Sequence, residues 1–192
     1  MAQAAMATGV AQKPVDLKQY REDLEKRLGK ANEVMRGMIH KAKKQPKRVV
    51  FTEGEEGKIL RACQILIDEN IAHPILLGSE EIIRAKAAEL HLHLNGVKVV
   101  DPLEFPRLAE YTEEFYHIRQ RKGITRTEAE QLILNHTTFG SMMVRLGDAD
   151  AVIGGLTTHY PDTIRPALQV IAVRPELSGN VTARSPHWVP PS

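Results

Sequence analysis

The sequence predicts an α/β chain folded as a three-layer sandwich around a mainly parallel sheet. Three observations predict it. A short apolar run rich in β-branched residues, RVVFT at 48–52, has the character of a strand buried on both faces. Further short apolar runs at 74–77, 97–100 and 151–153 follow it, each separated from the last by segments with apolar residues at helical spacing. Alternation of this kind calls for parallel strands joined by right-handed crossovers, with helices covering both faces.

Taken in order, residues 16–44 carry Leu17, Tyr20, Leu24, Leu28, Val34, Met35, Met38, Ile39 and Ala42 at helical spacing. They predict one long helix or two in tandem, with Gly29 and Gly37 as weak points and Pro46 as the stop. The strand at 48–52 is followed by a helix at 55–70, a strand at 74–77, a helix at 79–90 and a strand at 97–100. Ser79, with Glu80 and Glu81 behind it, suits a helix start: its hydroxyl can cap free amides, and the carboxylates meet the positive end of the dipole. Helices are expected next at 106–122, 126–135 and 138–146, with Thr125 and Glu128 spaced for a capping box. A strand at 151–153 and a helix at 161–173 complete the pattern. Residues 1–15 read as a leader or linker, 16–177 as one lobe, and 178–192, with Gly179, Pro186, Pro190 and Pro191, as an irregular tail.

Composition narrows the function. A chain of 192 residues can form one domain whose core removes roughly 70% of the extended surface from water. No apolar run approaches the ~20 residues of a membrane span. A net charge of +2 and 5% aromatic residues argue against nucleic acid. Cys63 is the sole cysteine, so no intramolecular disulfide is possible and a reducing, cytoplasmic setting is expected; its apolar neighbours make it a packing residue. The basic group Lys41, Lys43, Lys44, Lys47 and Arg48 reads as a solvated helix end. His91 and His93, two apart, face different sides of a helix, and no metal site is expected. GxSxG, Walker-type and GxGxxG patterns are absent from the sequence.

The strongest candidate site is GDADAVIGGLTTHYPDTIRPALQ at 147–169. Ligands of open parallel sheets sit beyond the carboxyl ends of the strands. Gly154 and Gly155 fall at such an end and permit a tight turn, while Thr157 and Thr158 add hydroxyl donors. Pro161 suits a first helical turn whose free amides point back at the loop, and Arg165 stands close by to receive phosphate or carboxylate. The alternative is that Asp162 and Arg165, three apart, pair on the surface while the glycines merely turn the chain. A second cationic group, Arg119, Arg121 and Lys122 before Gly123, reads by its residues first as an ordinary helix C-terminus, with an anion site as the alternative. Glu53, Glu55 and Glu56 read as carboxylates at a helix N-terminus.

The segments VVFTEGEEGKILRACQILIDENIAHPILLGS, EEFYHIRQRKGIT and FGSMMVRLGDADAVIGGLTTHYPDTIRPALQVI resemble the phosphate acetyl/butyryltransferase family. The resemblance is closer still to the phosphotransacetylase-like C-terminal region of bacterial NADP-dependent malic enzymes. It implies a two-lobed fold in which coenzyme A thiolate attacks an acyl phosphate and phosphate leaves, with arginines neutralising the phosphates. By that resemblance Arg165 matches the arginine of the DTxRP element and Arg119 that of the helix before a KG turn. The implied ligand is coenzyme A or acetyl-CoA, and the implied assembly a homo-oligomer or part of a larger malic enzyme.

Two departures separate the chain from active transacetylases. His159, Tyr160 and Pro161 stand where those enzymes carry a Ser or Thr pair and Ala, a pattern like that of the malic-enzyme branch, whose region is thought to sense acetyl-CoA. The second lobe, with its Asp, Ser and Arg group, has no counterpart in the sequence, and no base for a thiol can be assigned. The expectation is therefore a regulatory acyl-CoA-binding module, a fragment of a larger enzyme with its catalytic residues unknown; an active acyltransferase completed by oligomerisation is the alternative.

Overall fold

In the computed structural model, residues 29 and 33–171 are described. The expected leader, the first part of the 16–44 helix and the tail at 178–192 lie outside the described residues. Helix α1 covers residues 33–44 and runs through Gly37 without a break. It stops ahead of Pro46, whose ring cannot be carried in a helix interior.

From Pro46 onward the alternation is the expected one. Strand β1 (Lys47–Phe51) leads to α2 (Gly57–Asp68), β2 (Ala72–Leu77), α3 (Glu80–Glu89) and β3 (Lys98–Val100). Then come α4 (Leu108–Arg119), α5 (Arg126–Leu132), α6 (His136–Arg145), β4 (Ala151–Ile153) and α7 (Tyr160–Val170). The sheet order is β3-β2-β1-β4, and every pairing is parallel. The chain thus moves outward through β2 and β3, then returns to lay β4 on the free side of β1, with Phe51 opposite Ile153. No helix among the described residues is long and apolar enough to cross a membrane.

Successive side chains of a strand point to opposite faces, and this period of two divides the core. Val50, Ile75, Leu77 and Val100 pack with Tyr111, Phe115, Phe139, Met142 and Val170 from α4, α6 and α7. Phe51 and Leu76 point the other way, against Leu60, Cys63 and Ile83 of α2 and α3. Two cores on two faces make the three layers. Cys63 is fully buried, and burial pushes its thiol up to about 12, so it packs as an inert apolar residue.

Local chemistry accounts for several boundaries. The capping box forms: the Thr125 hydroxyl accepts from the Glu128 amide while the Glu128 carboxylate accepts from the Thr125 amide. Asn135, expected at the end of a helix over 126–135, instead starts α6, because its side-chain oxygen accepts from the amides of Thr137 and Thr138 at 3.0 and 3.2 Å. An Asn that satisfies two orphan donors is worth more there than as a last helical residue. Ser79 does precede α3, but its hydroxyl makes no cap bond; its amide donates to Glu55 Oε1 at 3.0 Å. The helix expected at 106–122 ends as a 3-10 turn, Gln120–Lys122, closed by Gly123 at φ 87°. Only glycine adopts that left-handed backbone cheaply.

Arg48 corrects the reading of the basic group as one solvated helix end. It lies in β1, donates from Nε and Nη2 to both oxygens of Asp150 at 3.2 and 3.1 Å, and its amide reaches Asp150 Oδ2 at 2.8 Å. These bonds hold Asp150 well below the usual carboxylate range, at about 2, and tie the start of β4 to β1.

A second network secures the chain just before β4. Tyr111 is fully buried, yet its hydroxyl donates to Asp148, which also receives both bonds of Arg107 Nη1 at 3.0 and 2.8 Å. Burial first, then the Asp148 carboxylate, push the Tyr111 phenol far above its ordinary value. The substitution Tyr111→Phe should therefore destabilise the fold by about 1.5–3 kcal/mol, the scale of a hydrogen bond to a charged group. Urea denaturation measures it: an unchanged midpoint would show that the hydroxyl contributes nothing.

Candidate functional site

The strand order reverses between β1 and β4, so the carboxyl ends of these two strands diverge into loops leaving in different directions. Such a switch point is where open α/β sheets form ligand crevices. After β1 come Thr52 and Glu53; after β4 come Gly154 and Gly155. The ladder continues past both strands, Thr52 donating to the Ile153 carbonyl at 3.0 Å and Gly54 to the Leu77 carbonyl at 3.1 Å. The two strand ends consequently touch. A Cβ on Gly154 would lie 2.3 Å from Thr52 Oγ1, and Gly155 takes φ 93°, so both positions require glycine.

Glu53 was not legible as part of this loop. It lies outside the first turn of α2, where it was expected; its carboxylate receives the amides of Leu156 and Thr157 at 2.7 Å each and that of Thr158 at 3.2 Å. The hydroxyls of Thr157 and Thr158 add bonds of 2.8 and 3.2 Å. Five donors converge on one carboxylate from a segment more than a hundred residues away. Partial burial works against ionisation, but the amide and hydroxyl bonds outweigh it and hold Glu53 at about 2 against an ordinary 4.5. The donors expected to face a ligand anion thus face an internal one.

The first turn of α7 is similarly occupied. The amides of Asp162 and Thr163 both donate to the His159 carbonyl, at 3.0 and 3.1 Å, and Pro161 has none to give. Asp162 and Arg165 form no ion pair, although their spacing allows one. Arg165 is exposed, and its guanidinium has no hydrogen-bond partner among the described residues.

Three adjoining cavities surround the start of α7. One of about 430 Å³ lies between Glu53, His136, Thr157 and Thr158. A second of about 430 Å³ is floored by Gly154, Gly155, Thr163 and Ile164. The third, about 460 Å³, brings Arg119 and Arg165 together over Tyr160, Pro161, Ile164 and Leu168. The structure therefore unites the two candidate arginines, which stand 46 residues apart in the chain, and separates both from the threonines. Asp162 is exposed and lines none of these three cavities. Arg119 Nε is buried and has no hydrogen-bond partner among the described residues. A buried donor left unsatisfied costs about 1–3 kcal/mol, which an acceptor in the cleft would recover.

His136 is a further residue that sequence reasoning passed over. Its Nδ1 lies 3.0 Å from the Thr52 carbonyl. A carbonyl only accepts, so Nδ1 is the donor in this contact. The signal available in the sequence was a helix start, Asn135 with His136 behind it; nothing local tied it to β1.

Comparison with known proteins agrees with this architecture. The family model described as phosphate acetyl/butaryl transferase matches residues 33–181. The NADP-dependent malic enzyme of Salmonella typhimurium is 40% identical over 165 residues, covering 83% of this chain and 22% of the relative. The phosphate acetyltransferase of Corynebacterium glutamicum is 37% identical over 141 residues, covering 73% of this chain and 43% of the relative. Among solved structures, a phosphotransacetylase from Streptococcus pyogenes superposes with a TM-score of 0.71 at 29% identity, over 75% of this chain and 44% of that one. The chain spans less than half the length of each of these relatives.

The Glu53 bonds yield an acid-dependent contribution to stability. Because folding depresses this carboxyl, its stabilisation is fully present above about pH 4.5, declines as pH falls, and is gone below about pH 2. Wild type should exceed Glu53→Gln by about 1–3 kcal/mol at neutral pH, after allowing for the water that screens a half-buried group. In urea titrations at several pH values the two curves should converge through that window; a pH-independent gap would contradict the assignment.

Proposed function

The chain belongs to the phosphate acetyl/butaryl transferase family, and on that footing we propose that it binds acetyl-CoA or a related phosphorylated ligand at the Arg119–Arg165 cleft, in a regulatory role. The observation that carries this reading is the pair of guanidiniums without partners among the described residues, one with a buried orphaned Nε, above an apolar floor. Phosphate oxygens supply the acceptors that Arg119 and Arg165 lack, through paired charge-assisted bonds. Tyr160, Ile164 and Leu168 give the uncharged part of an acylated ligand a surface to cover. Gly154, Gly155, Thr157 and Thr158 shape the loop that delivers α7 to the cleft, and Asp162 sits on its solvent side.

The regulatory reading is supported by the likeness to malic enzymes, whose overlap extends over more of this chain than that of the transferases. On this reading the chain acts as part of a longer, cytoplasmic, multisubunit enzyme. The likeness to phosphate acetyltransferases supports the competing reading, in which a second copy or further chain completes a transfer site for acyl phosphate and coenzyme A.

Calorimetric titration with acetyl-CoA tests the binding. Arg165→Ala and Arg119→Ala should each weaken it by about 1.5–3 kcal/mol, the scale of hydrogen bonds to charged groups. Unchanged affinity in both variants would move the ligand elsewhere, and absence of heat with wild type would leave a scaffold that binds no acyl-CoA. Release of phosphate from acetyl phosphate plus coenzyme A separates the transferase: steady turnover by purified protein would displace the regulatory reading.

A further inference from the structure

We propose that Glu53 is a positioning residue for the Arg119–Arg165 cleft, acting through the 154–158 loop on the start of α7; this rests on the acetyl-CoA reading above. The loop has little else to hold it. Residues 154–159 are all exposed, and the two glycines at its start leave the backbone soft. Against that freedom stand the five bonds to one carboxylate, two of them at 2.7 Å from backbone amides. Tyr160, which borders the cleft, begins two residues after the last of these donors.

The other end of α7 is held independently. Arg145 Nη1 donates to the Val170 carbonyl at 3.1 Å, its Nε reaches Glu114 at 3.3 Å, and Val170 is buried in the core. Removing the Glu53 charge therefore releases one end of the helix and leaves the other pinned. The helix start, and with it Tyr160, Pro161 and Arg165, shifts relative to Arg119, which belongs to α4. Because the carboxylate consumes the loop donors, the loop itself offers no anion site, and an anion must be met by the guanidiniums. Glu53 influences that anion through geometry, without touching it.

The experiment compares wild type, Glu53→Gln, and Arg48→Met as a control that removes the ion pair at the other end of β4. Acetyl-CoA affinity is read by calorimetry, and amide hydrogen exchange of residues 160–165 and of α6 by mass spectrometry. Glu53→Gln should speed exchange at 160–165 and leave α6 unchanged. It should also weaken acetyl-CoA binding about tenfold, the result when the competent arrangement is held about a tenth of the time. Arg48→Met should change neither readout. Unchanged exchange at 160–165 in Glu53→Gln overturns the proposal whatever the binding shows. Equal affinity overturns it too, and tighter binding would mean that the carboxylate plugs an anion site on the loop. If wild type binds no acetyl-CoA, the functional reading fails, while faster exchange in Glu53→Gln would still show the carboxylate holding the helix start.

Discussion

The parallel pairing of β4 with β1 is the constraint on which the rest of the structure depends. A single register, Val49 opposite Ala151 through Phe51 opposite Ile153, brings chain segments about a hundred residues apart to the same end of the sheet. It is a short ladder, and side chains guard both its ends. Arg48 and Asp150 close one end with a two-pronged ion pair, while at the other Gly154 lies so close to Thr52 that no side chain fits between them. The candidate loop and the start of α7 lie just past that second end. Loop closure over such a span costs entropy, which the core buried between the sheet and helices α4, α6 and α7 helps to offset.

Beyond the ladder, charge is sorted with some economy. The carboxylate that leaves β1 satisfies the loop that leaves β4, and the Asp148 and Asp150 carboxylates before β4 are taken by Arg107 and Arg48. Arg119 and Arg165 stand outside these pairings, on two different helices, their guanidiniums without partners among the described residues. Near a protein surface a lone guanidinium is cheap when hydrated, but a buried Nε is not. That asymmetry directs attention to the α4–α7 cleft instead of the glycine turn itself.

Helix α7 links the two features. Its C-terminal end belongs to the core through Val170 and to α6 through Arg145, whereas its N-terminal end rests on a loop whose order derives from one carboxylate. Elements with few buried contacts at one end open locally at low cost.

Residues of the chain determined the layer architecture and nearly every element, because buried strands and amphipathic helices each leave a period that neighbours in sequence suffice to reveal. Thr125 with Glu128 was readable for the same reason: a capping box is wholly local. Arg119 and Arg165 were recognisable by family likeness as cations of interest, yet nothing in their spacing could show that they share one cleft. What only the tertiary structure decided were the partnerships across the switch point: Glu53 with Thr157 and Thr158, Arg48 with Asp150, His136 with the Thr52 carbonyl. Each depends on which strand lies beside β1 and in which register, and that choice is made by the packing of whole helices on the sheet, a sum over contacts remote in sequence. A local pattern carries no record of it.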